Sequence, residues 1–418
     1  MTAHTTRILT DGETALIKAY EATGLQGEAR DAAIAALREN GLPTRRIEAF
    51  HYTDLRALVR GNYSVAERPS DESARSILSC FPRLVEGARV LHFYDGHYFD
   101  RGEDLPEGVS VDPSLPPISG EGDPVSGINT AFAQAGVTVS IAPGTKVGPT
   151  IGIAYAHTGV VDTIAAVRSV FSVGAGSTSR IIHRAMGRDG VKYLHSSVTD
   201  VEIGEGATFD HVLLIEEGDE AQRLAQLNVS LGKDATLNLF ILNLGGKLVR
   251  QEINFDVIGE GANLNISGVN LIGGDAHIDV TSRITHHIPH TNATEIFRNV
   301  ATARGSGVFQ GQINVRQAAQ FTDARMACNT LLLSDECEFS AKPELEIFAD
   351  DVQCGHGATV TDLEESYMFY LMSRGISLER ARRLLIKAFV AEIVEEMVDE
   401  ELVDALEARI DLWMDRHV

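Results

Sequence analysis

Four segments in the middle of the sequence repeat one pattern of two short strands joined at a glycine. The segments are "FSVGAGSTSR", "VEIGEGATFD", "VSLGKDATLN" and "DVIGEGANLN", and apolar and polar residues alternate on both sides of each turn. Their first glycines are Gly174, Gly204, Gly232 and Gly259, which are 30, 28 and 27 residues apart. A period of this length without a helix signal predicts stacked β-coils that bury their apolar edges only against neighbouring coils.

The stretches "VTVSIAPGTKVGPTIGI" and "GVFQGQINV" on either side extend the pattern, so we predict a β-helix from about residue 88 to residue 352. The repeat leaves no room for crossover helices, and we expect no helix between Gly204 and Gly259. We expect the repeat glycines to be needed because they accept the backbone angles of the coil corners. Their G-x-G turns also invite a dinucleotide-binding interpretation, but such a loop needs a helix after its glycines, and here strands follow.

Charge and cysteine content restrict the partners and the compartment. The net charge of −23 would repel phosphate backbones and anionic lipid surfaces, so we predict no nucleic-acid and no membrane partner. The amino end has no apolar segment of the signal-peptide type, and no stretch approaches membrane-spanning length. The four cysteines (Cys80, Cys328, Cys337 and Cys354) are too scattered for a disulfide framework. They indicate a reducing cytoplasm, where a thiol that has a function is a ligand or a nucleophile.

Both ends of the chain are predicted to be helical. Near the start, "EARDAAIAALREN" is an amphipathic helix that stops at Asn40 and Gly41. After the repeats, Asp362 with Glu365 three residues later forms a capping-box pattern that predicts a helix start. The next segment, "LERARRLLIKAFVAEIVEEM", is apolar on more than one side, so it can pack on its own protein and also present a face to a partner. The predicted units are residues 1–87 (helical), 88–352 (β-helix) and 353–418 (helical).

The stretch "ADDVQCGHGATV" carries the chemistry that most needs an explanation. If it is extended, Cys354 and His356 point to the same side of a sheet and Gly355 points away. A thiolate and an imidazole suit zinc or iron–sulfur chemistry, but a metal needs about four ligands. From spacing alone, a half-buried thiol beside a hydrogen-bonded histidine is the favoured interpretation. A third ligand could come from Cys337 or from a second chain.

A rival metal candidate is the cluster "HHIPH", which contains His286, His287 and His290. Its sequence predicts a loop that turns at Pro289, so exposed or capping histidines are the favoured interpretation. The chain has no G-x-x-x-x-G-K-[ST] loop and no G-x-S-x-G turn, so it is itself neither a P-loop ATPase nor a hydrolase of the nucleophile-elbow type.

Four stretches of the chain are characteristic of a known family. They are "LPTRRIEAFHYTDL", "GVFQGQINVRQAAQFTDA", "LLLSDECEFSAKPELEIFADDVQCGHGATV" and "FYLMSRGIS". Over nearly its whole length the chain resembles the SufB/SufD family, the scaffold subunits of the SUF iron–sulfur cluster assembly machinery. The "PELEIFADD" and "CGHGAT" run resembles the SufD branch more than the SufB branch. One departure is Phe50, where the family more often has a tryptophan.

The resemblance implies a mainly β fold, a right-handed parallel β-helix flanked by N-terminal and C-terminal α-helical domains. It implies a non-enzymatic scaffold subunit on which nascent iron–sulfur clusters form, with no cofactor held tightly by the isolated chain and a transient cluster or iron in the complex. The implied partners are a SufB-like subunit, paired through the β-helix, and a SufC-like ATPase, bound by the C-terminal helices. A homodimer is a further option.

The resemblance also assigns roles to single residues. The family histidine at the position of His356 is implicated in cluster assembly opposite a SufB cysteine, and Cys354 occupies the adjacent family cysteine position. Cys337 falls where SufB, rather than SufD, places its assembly cysteine. We therefore predict a cluster-assembly interface at His356, Cys354 and Cys337, with His356 and Cys354 as the metal ligands. Cys337 either adds ligand capacity or is drift into a small apolar residue.

The ATPase-docking surface is predicted on the helices between Leu363 and Met397. The residues expected to contact the ATPase are Tyr367, Tyr370, Ile386 and Val390.

Two other classes of protein stay open at this point. One is a purely structural assembly subunit in which Cys354 and His356 are inert. The other is a β-helix carbohydrate-active enzyme, which would need several charged side chains on one outward face of successive coils.

Overall fold

The computed structural model describes residues 7–80, 83–117, 123–397 and 400–418. Its helices are α1 (Asp11–Thr23), α2 (Glu28–Asn40), α3 (Leu55–Leu58), α4 (Asp71–Cys80), α5 (Pro124–Phe132), α6 (Glu365–Ser373), α7 (Leu378–Met397) and α8 (Glu400–His417), with a 3-10 turn at Glu48–Phe50.

The strands are β1 (Ser64–Val65), β2 (Arg89–Tyr94), β3 (His97–Phe99), β4 (Val109–Asp112), β5 (Ala135–Ile141), β6 (Ile151–Ala156), β7 (Thr163–Val173), β8 (Thr178–Met186), β9 (Tyr193–Ile203), β10 (Thr208–Glu216), β11 (Gln222–Leu231), β12 (Thr236–Asn243), β13 (Leu248–Val257), β14 (Asn263–Ile272), β15 (His277–His286), β16 (Asn292–Ala301), β17 (Ser306–Val315), β18 (Asp323–Leu332), β19 (Glu338–Ile347) and β20 (Gln353–Asp362).

Two parallel sheets form a flattened β-helix. The odd-numbered strands from β5 to β19 make one sheet, and the even-numbered strands from β6 to β20 make the other. Successive strands alternate between the sheets, so the pairs from β5–β6 to β19–β20 give eight coils. Within residues 123–397, which are described without a gap, no helix lies between Gly204 and Gly259. The predicted parallel β-helix with helices at both ends is confirmed.

The sheets extend beyond the predicted limits. Strand β20 pairs in parallel with β18 over its ten residues, so the β-helix continues to Asp362 instead of ending at residue 352. The capping box predicted at Asp362 is wrong, because Asp362 pairs with Leu332 and the cap of α6 is Glu364, without a side-chain hydrogen bond. A cap contributes about 1 kcal/mol, and a row of strand hydrogen bonds outweighs it. Helix α5 also falls inside the range that we predicted to be β-coils.

Side chains that point into the β-helix stack in columns, because the coils pair in register. One column runs through seven successive strands of the odd-numbered sheet, and its members are Val139, Phe171, Val201, Val229, Phe255, Ile284 and Ile313. Each of these side chains is at most 3% exposed. Full burial of such a side chain stabilises the fold by about 1.5–3 kcal/mol. The interior of the β-helix, called the lumen below, therefore supplies the main core.

The repeat glycines are required, but for a different reason at each of the two positions. A Cβ atom on Gly204 would lie 2.7 Å from the backbone nitrogen of Ala175, so the first glycine permits close approach to the preceding coil. The second glycine supplies the left-handed backbone angle, with φ = 64° at Gly206. In the third repeat Asp234 takes that position, with φ = 51°. The prediction that corner angles require the first glycine is wrong.

The corner between β10 and β11, in the third coil, contains a buried charged network. Glu217 is fully buried and accepts hydrogen bonds from the phenol of Tyr193, from Nδ1 of His195 at 2.7 Å and from Nη1 of Arg223 at 3.3 Å. Burial alone would raise the pKa of Glu217, but His195 and Arg223 reverse that effect and hold the pKa at about 2. A buried carboxylate is tolerated here because each of its oxygens has a partner.

The terminal helices cover the outer faces of the two sheets. Residues of α1, α2 and α5 share a core with Ile164, Leu194, Leu224 and Leu248 of the odd-numbered sheet. Residues of α7 and α8 share a second core with the even-numbered sheet, where Phe240, Leu242 and Val269 are buried. Among the described residues, no helix is both long enough and apolar enough to cross a bilayer.

Arg250 fastens the "LPTRRIEAFHYTDL" segment to the β-helix. Its guanidinium, which is fully buried, pairs with Asp279 and lies 2.8 Å from Glu252. The same group donates to the carbonyl of Ala49 at 2.8 Å and lies 4.0 Å from the centre of the Phe50 ring. Phe50 thus has a direct role where the family more often has a tryptophan.

We expect Arg250→Met to destabilise the protein by about 3–5 kcal/mol, because Asp279 would keep a buried charge without its partner. Denaturant unfolding measures this loss, and limited proteolysis should show faster cleavage between residues 42 and 55. Arg283→Met, on the exposed face of β15, is the matched control and should change stability by less than about 0.5 kcal/mol. Equal stability of the two variants would contradict the role of Arg250.

Candidate functional site at the open end of the β-helix

The last coil leaves one end of the lumen open. Cys354 and His356 on β20 pair with Ala324 and Met326 on β18, which point inward and are at most 3% exposed. Cys354 is half-buried and His356 is exposed, because no further coil covers β20. Both side chains therefore face the lumen side, and Gly355 faces away, as the alternation predicted.

The Cys354 thiol rests on the end of the lumen core. Partial burial raises the pKa of this thiol, while the backbone N–H of Ala324 acts in the opposite direction and the Asp323 carboxylate adds to the rise. The thiol is consequently protonated at neutral pH, and a bound metal would have to displace its proton. Met326 lies one coil below His356 and packs across the lumen close to Gly311, where an added Cβ would approach the Met326 sulfur to 2.4 Å.

The two free strand edges at this end differ in their protection against pairing. The edge strand β19 carries Pro343 between Lys342 and Glu344, and proline and charged side chains discourage further strand pairing. Strand β20 contains no charged residue and no proline from Gln353 to Thr361. Strand β20 is thus the edge that can accept a partner strand.

Cys337 is not brought to the pair. It lies in the corner between β18 and β19, where its thiol donates to the carbonyl oxygen of Ser334 at 3.1 Å and is buried. Because Leu332 pairs with Asp362, this corner lies at the far end of the strands, on the order of 20 Å from His356. The geometry gives Cys337 a packing role and does not support the predicted shared ligand set.

Sequence reasoning overlooked Cys328, which points into the lumen beside Met326 and is fully buried. Burial raises the pKa of Cys328 to about 12, even though the Asn299 amide donates to its sulfur at 3.3 Å. The alternation of β18 could have identified it as an inward residue. The side chain of Cys80 lies outside the described residues.

The three histidines of "HHIPH" have separate roles. His286 is buried and bonds Thr291 through Nδ1 at 2.8 Å, and His287 bonds Asp256 through Nε2 at 2.8 Å. The ring of His290 stacks on Phe321 with centres 4.8 Å apart. In the part of the chain that the structure describes, no three His, Cys, Asp or Glu side chains are grouped to hold a metal ion. The pair on β20 is accordingly half of a ligand set at most.

Of the four residues predicted to dock an ATPase, two are buried on α7 and two are exposed on α6. Ile386 and Val390 are 0% exposed and pack against the even-numbered sheet, so they are unavailable to a partner and this part of the prediction is wrong. Tyr367 and Tyr370 on α6 are 58% and 56% exposed. Helix α6 has no buried residue, although "YMFYLM" makes it apolar on all sides.

Fold and site together define a β-helix scaffold that presents a thiol and an imidazole at an open, pairable end. Comparison with protein families agrees with that class. Residues 156–389 match the family described as "SUF system FeS cluster assembly, SufBD core domain", and residues 8–116 match the "SufBD protein N-terminal region". The chain belongs to the SufB/SufD family of iron–sulfur cluster assembly proteins.

Individual relatives support the same conclusion. The chain is 28% identical over 386 residues to iron–sulfur cluster assembly protein SufD of Escherichia coli, with 90% of each chain covered. It is 28% identical over 400 residues to protein ABCI7, chloroplastic, of Arabidopsis thaliana, covering 90% of this chain and 83% of the relative. A SufBD family protein of Synechocystis is 32% identical over 205 residues, which is 49% of this chain and 45% of the relative. These findings favour cluster assembly over the carbohydrate-active alternative.

The different burial of the thiols gives a direct test of the open end. We expect a thiol reagent to alkylate Cys354 at least about tenfold faster than Cys328 and Cys337 in the folded protein, because access controls the reaction. Mass spectrometry of peptides at timed intervals measures each site separately. Cys354→Ser should remove the fast site alone, and faster labelling of Cys328 or Cys337 would contradict the placement of these residues.

Proposed function

We propose that this chain is a scaffold subunit of a SUF complex on which nascent iron–sulfur clusters assemble at the open end of the β-helix. The observation that carries the proposal is that Cys354 and His356 point to the lumen side of the last coil, beyond which no described strand pairs. Neighbouring coils bury the same columns, so exposure of a thiol and an imidazole here follows from the position of the last strand. The cluster is cargo, held transiently, and the isolated chain holds no cofactor tightly.

A SufB-like subunit is the proposed partner at this end. The unprotected β20 edge suits pairing with a strand of a second β-helix, which would bring its own ligands to the pair. A cluster ligand set would then be complete only in the complex, which explains why this chain supplies two donors. A second copy of the chain could use the same edge, but it would bring another His356 and Cys354 instead of different ligands.

A SufC-like ATPase is the proposed partner of α6. An exposed helix with aromatic residues on its surface is typical of an interface. Helix α6 follows β20 directly, so movement of a bound ATPase would act on the strand that carries the site. The described cysteines are all free thiols, which supports a reducing cytoplasm as the location.

We expect His356→Ala to abolish cluster accumulation while folding and complex formation persist, because the exposed imidazole is a ligand or proton acceptor and supports no part of the core. The measurement is iron, sulfide and visible absorbance of the anaerobically reconstituted complex. Cys354→Ser should be milder, since a partner ligand can replace one thiol. Gln353→Ala, on the same strand and facing the other way, is the matched control. Normal cluster loading of the His356→Ala complex would show that the pair is structural.

The ATPase surface is tested by removing the two tyrosine rings from α6. We expect Tyr367→Ala with Tyr370→Ala to weaken binding of the SufC-like ATPase at least about 30-fold, because exposed aromatic residues act as interface anchors. Isothermal calorimetry measures the affinity. Val160→Ala with Val161→Ala removes two side chains of 57% and 58% exposure elsewhere and should leave the affinity unchanged. Full affinity of the tyrosine variant would place the surface elsewhere.

A further inference from the structure

Glu295 is a carboxyl group buried in the lumen without a hydrogen-bond partner. It lies on β16 at an inward position and is 0% exposed. Neither of its carboxyl oxygens has a partner of ordinary hydrogen-bond geometry among the described residues. The Ser282 hydroxyl is near enough to favour the carboxylate, but its oxygen is unpartnered as well. Glu217, in the corner after β10, has three hydrogen-bond partners that compensate for its burial. An unpaired buried carboxyl lowers stability, so its presence points to a use.

The surroundings of Glu295 are almost entirely apolar. Its neighbours in the column are Ile266 on β14 and Met326 on β18. Across the lumen, Ser282 on β15 occupies the position that faces Glu295, as Gly311 one coil further on faces Met326. The titratable group near it is the Cys328 thiol on β18, whose own pKa is raised partly by Glu295. Ile266, Ser282 and Gly311 carry no charge.

Burial raises the pKa of Glu295 to about 7, and the hydroxyl of Ser282 only partly offsets this rise. The carboxyl is consequently neutral in mildly acidic solution and divides between acid and carboxylate near neutral pH. Glutamine would fill the same space without that change of charge.

The column that holds Glu295 leads directly to the open end. Glu295, Met326 and His356 are paired in register on the three successive strands β16, β18 and β20. Strands in a sheet are about 4.8 Å apart, so His356 is about 10 Å from Glu295, with the Met326 side chain between them. Glu295 and Met326 are buried while His356 is exposed, so a charge at one position acts on the other through a medium of intermediate polarity.

We propose that Glu295 is the counter-charge of the assembly site. Near neutral pH its acid form is populated when no cation is present at Cys354 and His356, and iron binding there shifts it to the carboxylate. The O–H bond of the carboxyl breaks, its electron pair stays on the oxygen, and the proton leaves to solvent without any change of oxidation state. This inference rests on the proposed function, because it needs iron to bind at the open end.

The magnitude follows from Coulomb's law. Two opposite unit charges about 10 Å apart, in a medium with an effective dielectric constant of about 20, attract each other. This attraction changes a binding constant by a factor of about 15. Iron binding then depends on the ionisation of Glu295, and by linkage the ionisation depends on iron. The advantage of the carboxylate is fully present above the pKa of Glu295 and disappears as the pH falls below it.

The test uses the complete complex under anaerobic conditions, with Fe²⁺ alone as the probe. We expect Glu295→Gln to weaken Fe²⁺ binding about tenfold or more at pH 8 and no more than about threefold at pH 6, since the parent carboxyl is then largely neutral. Infrared difference spectra at pH 6 to 7, where the parent carboxyl still holds protons, should show loss of a protonated carboxyl band when Fe²⁺ is added to the parent, and no such loss in the variant. Glu260→Gln removes an exposed carboxylate and is the matched control.

Two results would overturn the role of Glu295 while leaving the proposed function intact. One is Fe²⁺ binding by Glu295→Gln that follows the parent at both pH values, and the other is a parent spectrum without the carboxyl change. Glu295→Leu, which suits the apolar lumen, provides a second variant and should match the glutamine variant in affinity. A parent complex that binds no Fe²⁺, or binds it equally with His356→Ala, would instead refute the proposed assembly site.

Discussion

Each strand of the β-helix obtains its backbone hydrogen bonds from the coil before it and the coil after it, and at β20 the second of these is missing. In-register pairing also aligns side chains in columns, so each inward residue packs against the residue at the paired position of the preceding coil. Cys354 and His356 continue the columns of Ala324 and Met326, whose side chains are buried. The same side-chain direction that builds a core elsewhere presents ligands at the open end.

The flanking helices leave this arrangement intact because they bind to the sides of the β-helix. Arg250 holds the N-terminal segment on the outer face of the odd-numbered sheet, and α7 and α8 cover the outer face of the even-numbered sheet. Helix α6 alone connects the last strand to the covered region, and none of its residues is buried. The element with the least packing thus carries the proposed ATPase surface and joins it directly to the strand of the proposed assembly site.

The repeat period was sufficient to predict the coils and the shared direction of Cys354 and His356, because alternation and register are local properties of paired strands. It could not predict which side of α7 is covered, since Ile386 and Val390 look the same in sequence whether they meet a sheet or a partner. The position of Cys337 depends on which end of the strands a corner occupies. Glu295 stands at an inward position of "NATEIFRNVA", but the sequence does not show whether a carboxyl there finds a partner.

The order of synthesis determines when the unprotected edge of β20 forms. Domains of nascent chains fold from the amino end, so every earlier coil can already be paired when residues 353–362 emerge. A free edge without charges or proline is an aggregation hazard for as long as it waits for a partner. Placing it in the last coil keeps that interval short, and the completed coils can draw β20 into register with β18 as soon as it leaves the ribosome.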